Sequence, residues 1–255
     1  QHASHPAVLN AVAFSPDGRW LAVLTFPQSG GASLLRVYGL EDLKKTSGDW
    51  EAAPAPCLER AVKGYGAGWT AGTPSANQGL VYEDAGDIFR LDLLPDPDNR
   101  FLDPVNLTAA SPDLESDPLP SPDGRYILFK RAGPEEGERP AYWYMRSDGS
   151  EPRRVGLLPE APSWSPDAAR LATYQKATRS EASRPNEYFL ELVELPAGAV
   201  DPFAVSNGET RFVDWLDDST LVYVAMYITA DLSEAKAVVY RSGTEHAAEK
   251  KGLGT

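Results

Sequence analysis

The sequence predicts an all-β chain folded as a β-propeller of about five four-stranded blades, with six as the alternative count. Three observations predict it. A tight-turn motif, Ser121-Pro122-Asp123-Gly124-Arg125 followed by the apolar run Tyr126 to Phe129, recurs as Ser15-Pro16-Asp17-Gly18-Arg19 and, in degenerate form, as Ser165-Pro166-Asp167-Ala168-Ala169. The residues ahead of these turns, and their counterparts elsewhere, are Phe14, Trp69, Pro120, Trp164 and Trp215, at intervals of 55, 51, 44 and 51 residues. Such periods belong to propeller blades. Aromatics at 10%, with 22 Pro and 21 Gly, suit many short strands joined by tight turns.

The turn motif dictates its own geometry. Pro presets φ at the second turn position, Asp bonds nearby backbone N–H groups, and Gly supplies the positive φ that closes the hairpin. The first copy then reads as strands 8–14, 20–26 and 34–40, with a Gly-rich loop at 28–32 and a fourth strand within 57–62. The second copy has strands at 66–71, 80–83, 87–93 and 105–108, with a degenerate turn at 73–79. The third starts near Leu114 and continues through 126–131, 141–146 and 153–157, Asp148-Gly149 turning the last pair. Strands at 161–164, 170–175, 188–195 and 204–206 make the fourth copy. The fifth has 211–216, Asp217-Asp218 as turn, 220–227 and 237–241; either the tail after Ser242 or the segment before Val8 completes it. One domain over 1–255 is expected, with blades at about 8–62, 65–108, 113–157, 159–206 and 209–255. Nearly continuous apolar runs such as 126–129 and 221–225 mark strands covered on both faces, and the anchor aromatics are expected to fill the gaps between blades.

Charge and composition narrow the function. A net charge of −13 argues against a nucleic-acid partner, whose binding rests on clustered Lys and Arg. The single cysteine, Cys57, excludes an intrachain disulfide and a Cys-based zinc site. No apolar run approaches the ~18 residues of a membrane span. His2, His5 and His246 lie near the termini, away from every expected strand, so no triad or three-His zinc site is available. Asn106-Leu107-Thr108 fits a glycosylation acceptor by chance. The first residue, Gln1, fits a trimmed chain or a mature exported protein.

An aromatic followed by Ser-Pro-Asp-Gly-Arg and a strand such as Trp20-Leu21-Ala22-Val23 resembles the TolB-like propeller repeat, the Pro-Asp relative of the WD repeat. The resemblance is carried by positions 14–23, 120–129 and 164–172. It implies a propeller. TolB itself adds an α/β domain that contacts other envelope proteins, and similar propellers precede the catalytic domain of prolyl-oligopeptidase-type hydrolases. These 255 residues hold no Gly-x-Ser-x-Gly nucleophile elbow.

Two groups of candidate residues follow from the strand order. First strands of blades line a propeller's channel, which places His5, Asn10, Tyr65, Glu115, Asp117, Glu160, Glu209 and Arg211 at its mouth. Carboxylates converging there need a cation or a basic group, so a calcium ion or a basic peptide is one reading and solvated rim charges with Arg211 as counter-ion the other. The second group lies in loops 131–140, 176–187 and 227–234, where Arg131, Arg139, Lys176, Arg179, Arg184 and Tyr227 could anchor a partner protein. The expected function is a monomeric, non-catalytic, extracytoplasmic module that binds another protein and needs no cofactor. A hydrolase or lyase using the acidic channel, through a pair such as Glu115 and Asp117, is the alternative, and the regulatory propeller of a larger enzyme is another.

Overall fold

The computed structural model describes residues 7–27, 30–45, 54–72, 77–94, 101–133, 140–156, 158, 162–176, 188–195, 199–206, 209–228, 235–243 and 251–252. They fall into two compact units, 1–154 and 155–255.

The first unit holds three antiparallel sheets, each of four strands in chain order. The first sheet is β1 (Ala7–Phe14), β2 (Trp20–Pro27), β3 (Ser33–Gly39) and β4 (Leu58–Val62). Between its last two strands sits α1 (Leu40–Lys45), a helix absent from the sequence expectation because six residues are too few for a helical period to register. Glu41 and Asp42 in its first turn and Lys44 and Lys45 in its last suit the helix dipole. The second sheet is β5 (Ala67–Thr70), β6 (Gly79–Asp84), β7 (Asp87–Asp92) and β8 (Val105–Asn106). The third is β9 (Leu114–Pro120), β10 (Tyr126–Ala132), β11 (Ala141–Arg146) and β12 (Arg153–Gly156).

The second unit holds two more such sheets. One is β13 (Ser163–Trp164), β14 (Arg170–Lys176), β15 (Tyr188–Glu194) and β16 (Ala199–Ser206). The other is β17 (Glu209–Asp217), β18 (Thr220–Ile228), β19 (Ala235–Gly243) and β20 (Lys251–Gly252). The tail therefore supplies the fourth strand of the fifth copy, pairing Gly252 with Tyr240 and Lys251 with Arg241. Here the turn sits one residue later than expected, at Asp218 and Ser219, with Asp217 Oδ1 accepting the Ser219 N–H at 2.9 Å.

The Pro-Asp turns share one hydrogen-bond network whose centre is the serine. Ser15, Ser121 and Ser165 are buried. Each Oγ donates to the following Asp, at 2.6, 2.6 and 2.5 Å. Each also accepts the N–H of the first residue of the return strand, Trp20, Tyr126 or Arg170, at 2.9 Å. The second copy lacks the motif, yet Thr70 Oγ1 occupies the same place, accepting the Gly79 N–H at 3.1 Å and donating to its carbonyl.

Burial follows the two-sided pattern. Leu80 and Tyr82 of β6 join Trp20, Leu24, Leu35 and Trp69 in a core between the first and second sheets. On the other face of β6, Val81 meets Ile127, Phe129 and Met145 of the third sheet. A matching core in the second unit holds Leu190, Leu192, Val213, Leu221 and Tyr223. Each buried Leu contributes about 1.5–3 kcal/mol.

Two of the anchor tryptophans, Trp69 and Trp215, reach back onto the preceding sheet. Trp69 Nε1 donates to Ala13 O at 3.0 Å, and Trp215 Nε1 donates to Ser163 O at 3.1 Å. Trp69 and Trp164 are buried, Trp215 partly so. Phe14 departs from the expectation: it is 63% exposed. Among the described residues of the first unit no strand lies ahead of β1.

Glycines at the turns test this geometry. Gly18 and Gly124 both have positive φ, 67° and 71°. A Cβ at Gly18 would meet nothing within 4 Å, whereas one at Gly124 would lie 2.2 Å from Ala71 O. Gly18→Ala is expected to cost only the conformational strain, about 1–2 kcal/mol, and Gly124→Ala distinctly more. Ser121→Ala, which strands the half-buried Tyr126 N–H, should cost about 1–3 kcal/mol. Urea midpoints of the three variants check the order; equal losses for the two glycine variants would contradict it.

Candidate functional site

The end of the first unit opposite the Pro-Asp turns gathers chemistry from all three of its sheets. Phe26 is the next-to-last residue of β2, Tyr65 precedes β5, Glu83 lies near the end of β6, Glu115 and Asp117 lie on β9, Lys130 and Arg131 on β10, and Tyr142 and Trp143 on β11. Contacts link them across the sheets. The rings of Phe26 and Tyr65 lie 5.7 Å apart. Glu83 Oε2 accepts the Tyr65 N–H at 3.3 Å.

Asp117 owes its position to a bulge. Lys130 pairs with Ser116 and Leu128 with Leu119, so Asp117 and Pro118 together oppose Phe129. Asp117 has a φ of 52°, in the left-handed region that non-glycine residues seldom adopt. Bulges re-aim side chains, and strained residues of this kind gather at functional sites. The Asp117 carboxylate, half exposed, receives Lys130 Nζ at 2.8 Å, and Lys130 also lies over the Tyr142 ring at 5.6 Å. Gly66 and Gly68 make this approach of β5 to β9 possible, since a Cβ on either would lie 2.8 Å from Pro118 or Pro120 Cδ.

Glu115 is not a rim charge. Its side chain is wholly buried, and Oε1 accepts Arg131 Nε at 2.9 Å, while Oε2 has no hydrogen-bond partner. Its counter-ion is Arg131, its register partner on β10. Arg131 is itself held between aromatic rings, with Cζ 4.4 Å from the Trp143 centroid and 5.3 Å from that of Phe129. Burial pushes the Glu115 carboxyl above its ordinary value of 4.5, although Ser111, Arg131 and Thr108 pull the other way. Glu83 is likewise raised by burial, and the charge of Asp117 adds to the rise; backbone N–H groups of Tyr65, Asp117 and Gly66 oppose it.

The other expected residues are placed as follows. Asn10 lies on β1, Lys176 ends β14 and is exposed, Glu209 and Arg211 lie on β17, and Tyr227 lies on β18. His2, His5, Arg139, Glu160, Arg179, Arg184 and His246 lie outside the described residues. Among the described residues no three His, Cys, Asp or Glu stand close enough to hold a metal. Asn106 Nδ2 donates to Asp87 Oδ2 and its Oδ1 accepts the Thr108 N–H, both at 2.9 Å, so the acceptor amide is engaged at both ends. Cys57 is exposed. The sequence reading overlooked Phe26, Glu83, Lys130 and Trp143; the signal for Glu83 is its position as the acidic residue just after the apolar run 80–82.

Removing Arg131 strands a buried carboxylate, so Arg131→Met should cost about 3–5 kcal/mol, and Glu115→Gln less. The pH response has two opposing parts. A carboxyl with a raised folded pKa contributes stability at low pH that is lost as pH rises through that pKa; Glu83 and Glu115 are of this kind. The turn carboxylates behave oppositely. Burial would raise Asp17 and Asp123, but hydrogen bonds from the motif serines and the arginines two residues on hold both below 3.8, and the Ser165 hydrogen bond lowers Asp167. Their contribution is present above 3.8 and is lost as pH falls through the lowered values. Melting temperature should therefore rise from neutral pH toward about 4.5 and fall below about 3.8, with Glu115→Gln flattening the first limb only.

No protein-family model matches the chain, and no curated protein matches it in sequence. Solved structures do resemble it. A protein of Agrobacterium tumefaciens described as TolB is 18% identical with a TM-score of 0.54, the match covering 98% of this chain and 81% of that one. A hydrazine synthase of Kuenenia stuttgartiensis is 15% identical with a TM-score of 0.56, over 99% of this chain and 68% of that one. A puromycin-hydrolysing peptidase of Mycobacterium tuberculosis is 16% identical with a TM-score of 0.63, over 99% of this chain and 40% of that one. At these identities the likeness concerns the fold alone, and with the repeated four-stranded antiparallel sheets it gives this chain a β-propeller fold.

Proposed function

We propose that the chain is a binding module that grips a protein partner through the strand ends around Tyr65 and Asp117. The observation that carries this reading is Tyr65 itself: a 58% exposed aromatic in the bend just ahead of β5, next to Gly66, whose backbone packs against the bulge that holds Asp117 on β9. Exposed Tyr with a charged neighbour is the composition of an interface anchor. The residues expected at the channel mouth, Glu160, Glu209 and Arg211, and in the loops, Arg139, Lys176, Arg179, Arg184 and Tyr227, belong to the same proposal. An extracytoplasmic location goes with it, resting on the TolB-like resemblance.

Catalysis by the acidic pair finds less support, because Glu115 is buried against Arg131 and Asp117 is engaged by Lys130. A general acid must reach the proton it transfers. A second reading has its own support: the match spans 40% of the peptidase, which suits a propeller that serves a larger enzyme.

Affinity capture from the source cell with the whole chain as bait tests the proposal. Tyr65→Ala combined with Asp117→Ala should weaken capture of the recovered partner at least ~10-fold, the scale of an interface hot spot, while the melting temperature holds. Undiminished capture by the double variant would refute the assignment of this surface.

A further inference from the structure

Tyr65 stands in a bend that is tied down along its length. Lys63 N–H donates to Asp84 Oδ1 at 2.8 Å, Lys63 O accepts the Ala85 N–H at 3.0 Å, and Gly64 O accepts the Ser33 hydroxyl at 2.8 Å. Gly66 O accepts the Glu83 N–H at 3.1 Å. A further tie is made by a side chain, since Glu83 Oε2 accepts the Tyr65 N–H at 3.3 Å. Glycine flanks Tyr65 on both sides because the backbone passes too close for a Cβ, which would lie 2.4 Å from Glu83 O at Gly64 and 3.1 Å from Asp117 Cα at Gly66. The bend is thus wedged between Glu83 and the bulge of β9.

Glu83 sits where three parts of the first unit meet, and it is buried. Besides that of Tyr65, the backbone N–H groups of Asp117 and Gly66 bear on its carboxylate. Tyr65 lies ahead of β5 and Asp117 on β9, so this carboxylate on β6 is what the two residues share. An ionised carboxylate accepts an N–H more strongly than a neutral carboxyl does, and the joint therefore depends on charge.

We propose that Glu83 is the positioning residue of the binding surface: its ionised carboxylate holds Tyr65 and Asp117 in place together, and its protonation slackens both. This rests on the binding reading above and adds the control of that surface. Charged groups on the elements packed around Glu83 are Lys63 in the bend, Asp84 on β6, Asp87, Arg90 and Asp92 on β7, and Glu115 and Asp117 on β9. Arg90 is directed at Asp92, Ser147 O and Asn77 O, Glu115 at Arg131, and Asp117 at Lys130. The charge of Asp117 disfavours a second negative charge at Glu83, and burial disfavours it more, so the proton is taken up above the ordinary 4.5. Protonation relieves the buried charge and steadies the fold as a whole while it loosens this one joint. Binding and stability should consequently answer to pH in opposite directions.

The test titrates the whole chain, isotopically labelled, by NMR between neutral pH and about 4. The Glu83 Cδ resonance should move through a midpoint above 4.5, and the Tyr65 and Asp117 amide protons should follow with the same midpoint. Capture of the recovered partner should fall at least ~5-fold across it, the difference between a charge-assisted and a neutral hydrogen bond, while the melting temperature rises. In Glu83→Gln the amides and the capture should stand near their low-pH values already at neutral pH and show no transition at that midpoint. If the variant does not fold, the wild-type midpoints still decide. Amides that stay still, or that follow another group, would overturn the proposal. So would a folded Glu83→Gln that keeps the transition, or capture and melting temperature falling together, as a merely structural role would give. If the amides follow Glu83 while capture is indifferent to Tyr65 and Asp117, the binding surface falls and the joint stands. If capture depends on those two residues while their amides ignore Glu83, the joint falls and the binding surface stands.

Discussion

The structure depends on a hydroxyl. In four of the five sheets the residue after the anchor position is Ser or Thr, namely Ser15, Thr70, Ser121 and Ser165, and all four are buried. In three of them the Asp two residues on accepts the hydroxyl's hydrogen bond, which leaves the oxygen lone pairs free to accept the N–H that begins the return strand. The turn is thereby tied at its base as well as its tip. Register is what this secures. A slip of one residue would exchange the two faces of a strand, and the middle strands of these sheets have different work on each face. Tyr82 belongs to one core and Val81 to the next, so a misregistered β6 would misplace both.

Sheets buried on two sides must also fit their neighbours closely, and the fit is made by small residues facing rigid ones. Gly66 and Gly68 admit Pro118 and Pro120, and Gly124 sits against Ala71. Larger contacts then span the sheets: Arg90, itself buried, donates to Ser147 O and Asn77 O as well as pairing with Asp92. A charged side chain in that position is affordable only because its donors are directed at carbonyls and a carboxylate. The consequence for function is stiffness, since strand ends mounted on such sheets hold side chains at fixed separations.

What could be read from the sequence was what is encoded locally. Pro-Asp-Gly turns, the apolar runs between them and the spacing of the anchors each lie within a few residues, and the strands fall close to where those signals put them. Properties created by a cross-strand partner were out of reach. Nothing near Glu115 in the chain indicates that its charge is met by Arg131, because sixteen residues and a hairpin separate them. Asp117 looked like one more acid at a strand start; the bulge that turns it outward exists only in relation to Phe129. Phe14 shows the converse error. It satisfies the local anchor pattern, but the burial of an anchor depends on the sheet it reaches back to, as Trp69 reaches Ala13.

The two ends of the first unit's sheets therefore differ in kind. At the turn end the carboxylates of Asp17 and Asp123 are consumed by the serine, by the backbone N–H two residues on and by an arginine, and those bonds are conditions of folding. At the other end the obligations are fewer. Tyr65 packs on Phe26 and is 58% exposed, and Asp117 is half exposed beside Lys130, its only ion-pair partner among the described residues. Polar groups that folding has already used resist a ligand, because binding must first break their bonds. Groups positioned by the fold and left exposed carry less of that cost. Recognition should accordingly sit at the end the turn motifs do not occupy, where the bulge of β9 has fixed Asp117 and packing on Phe26 has fixed Tyr65 before any partner arrives.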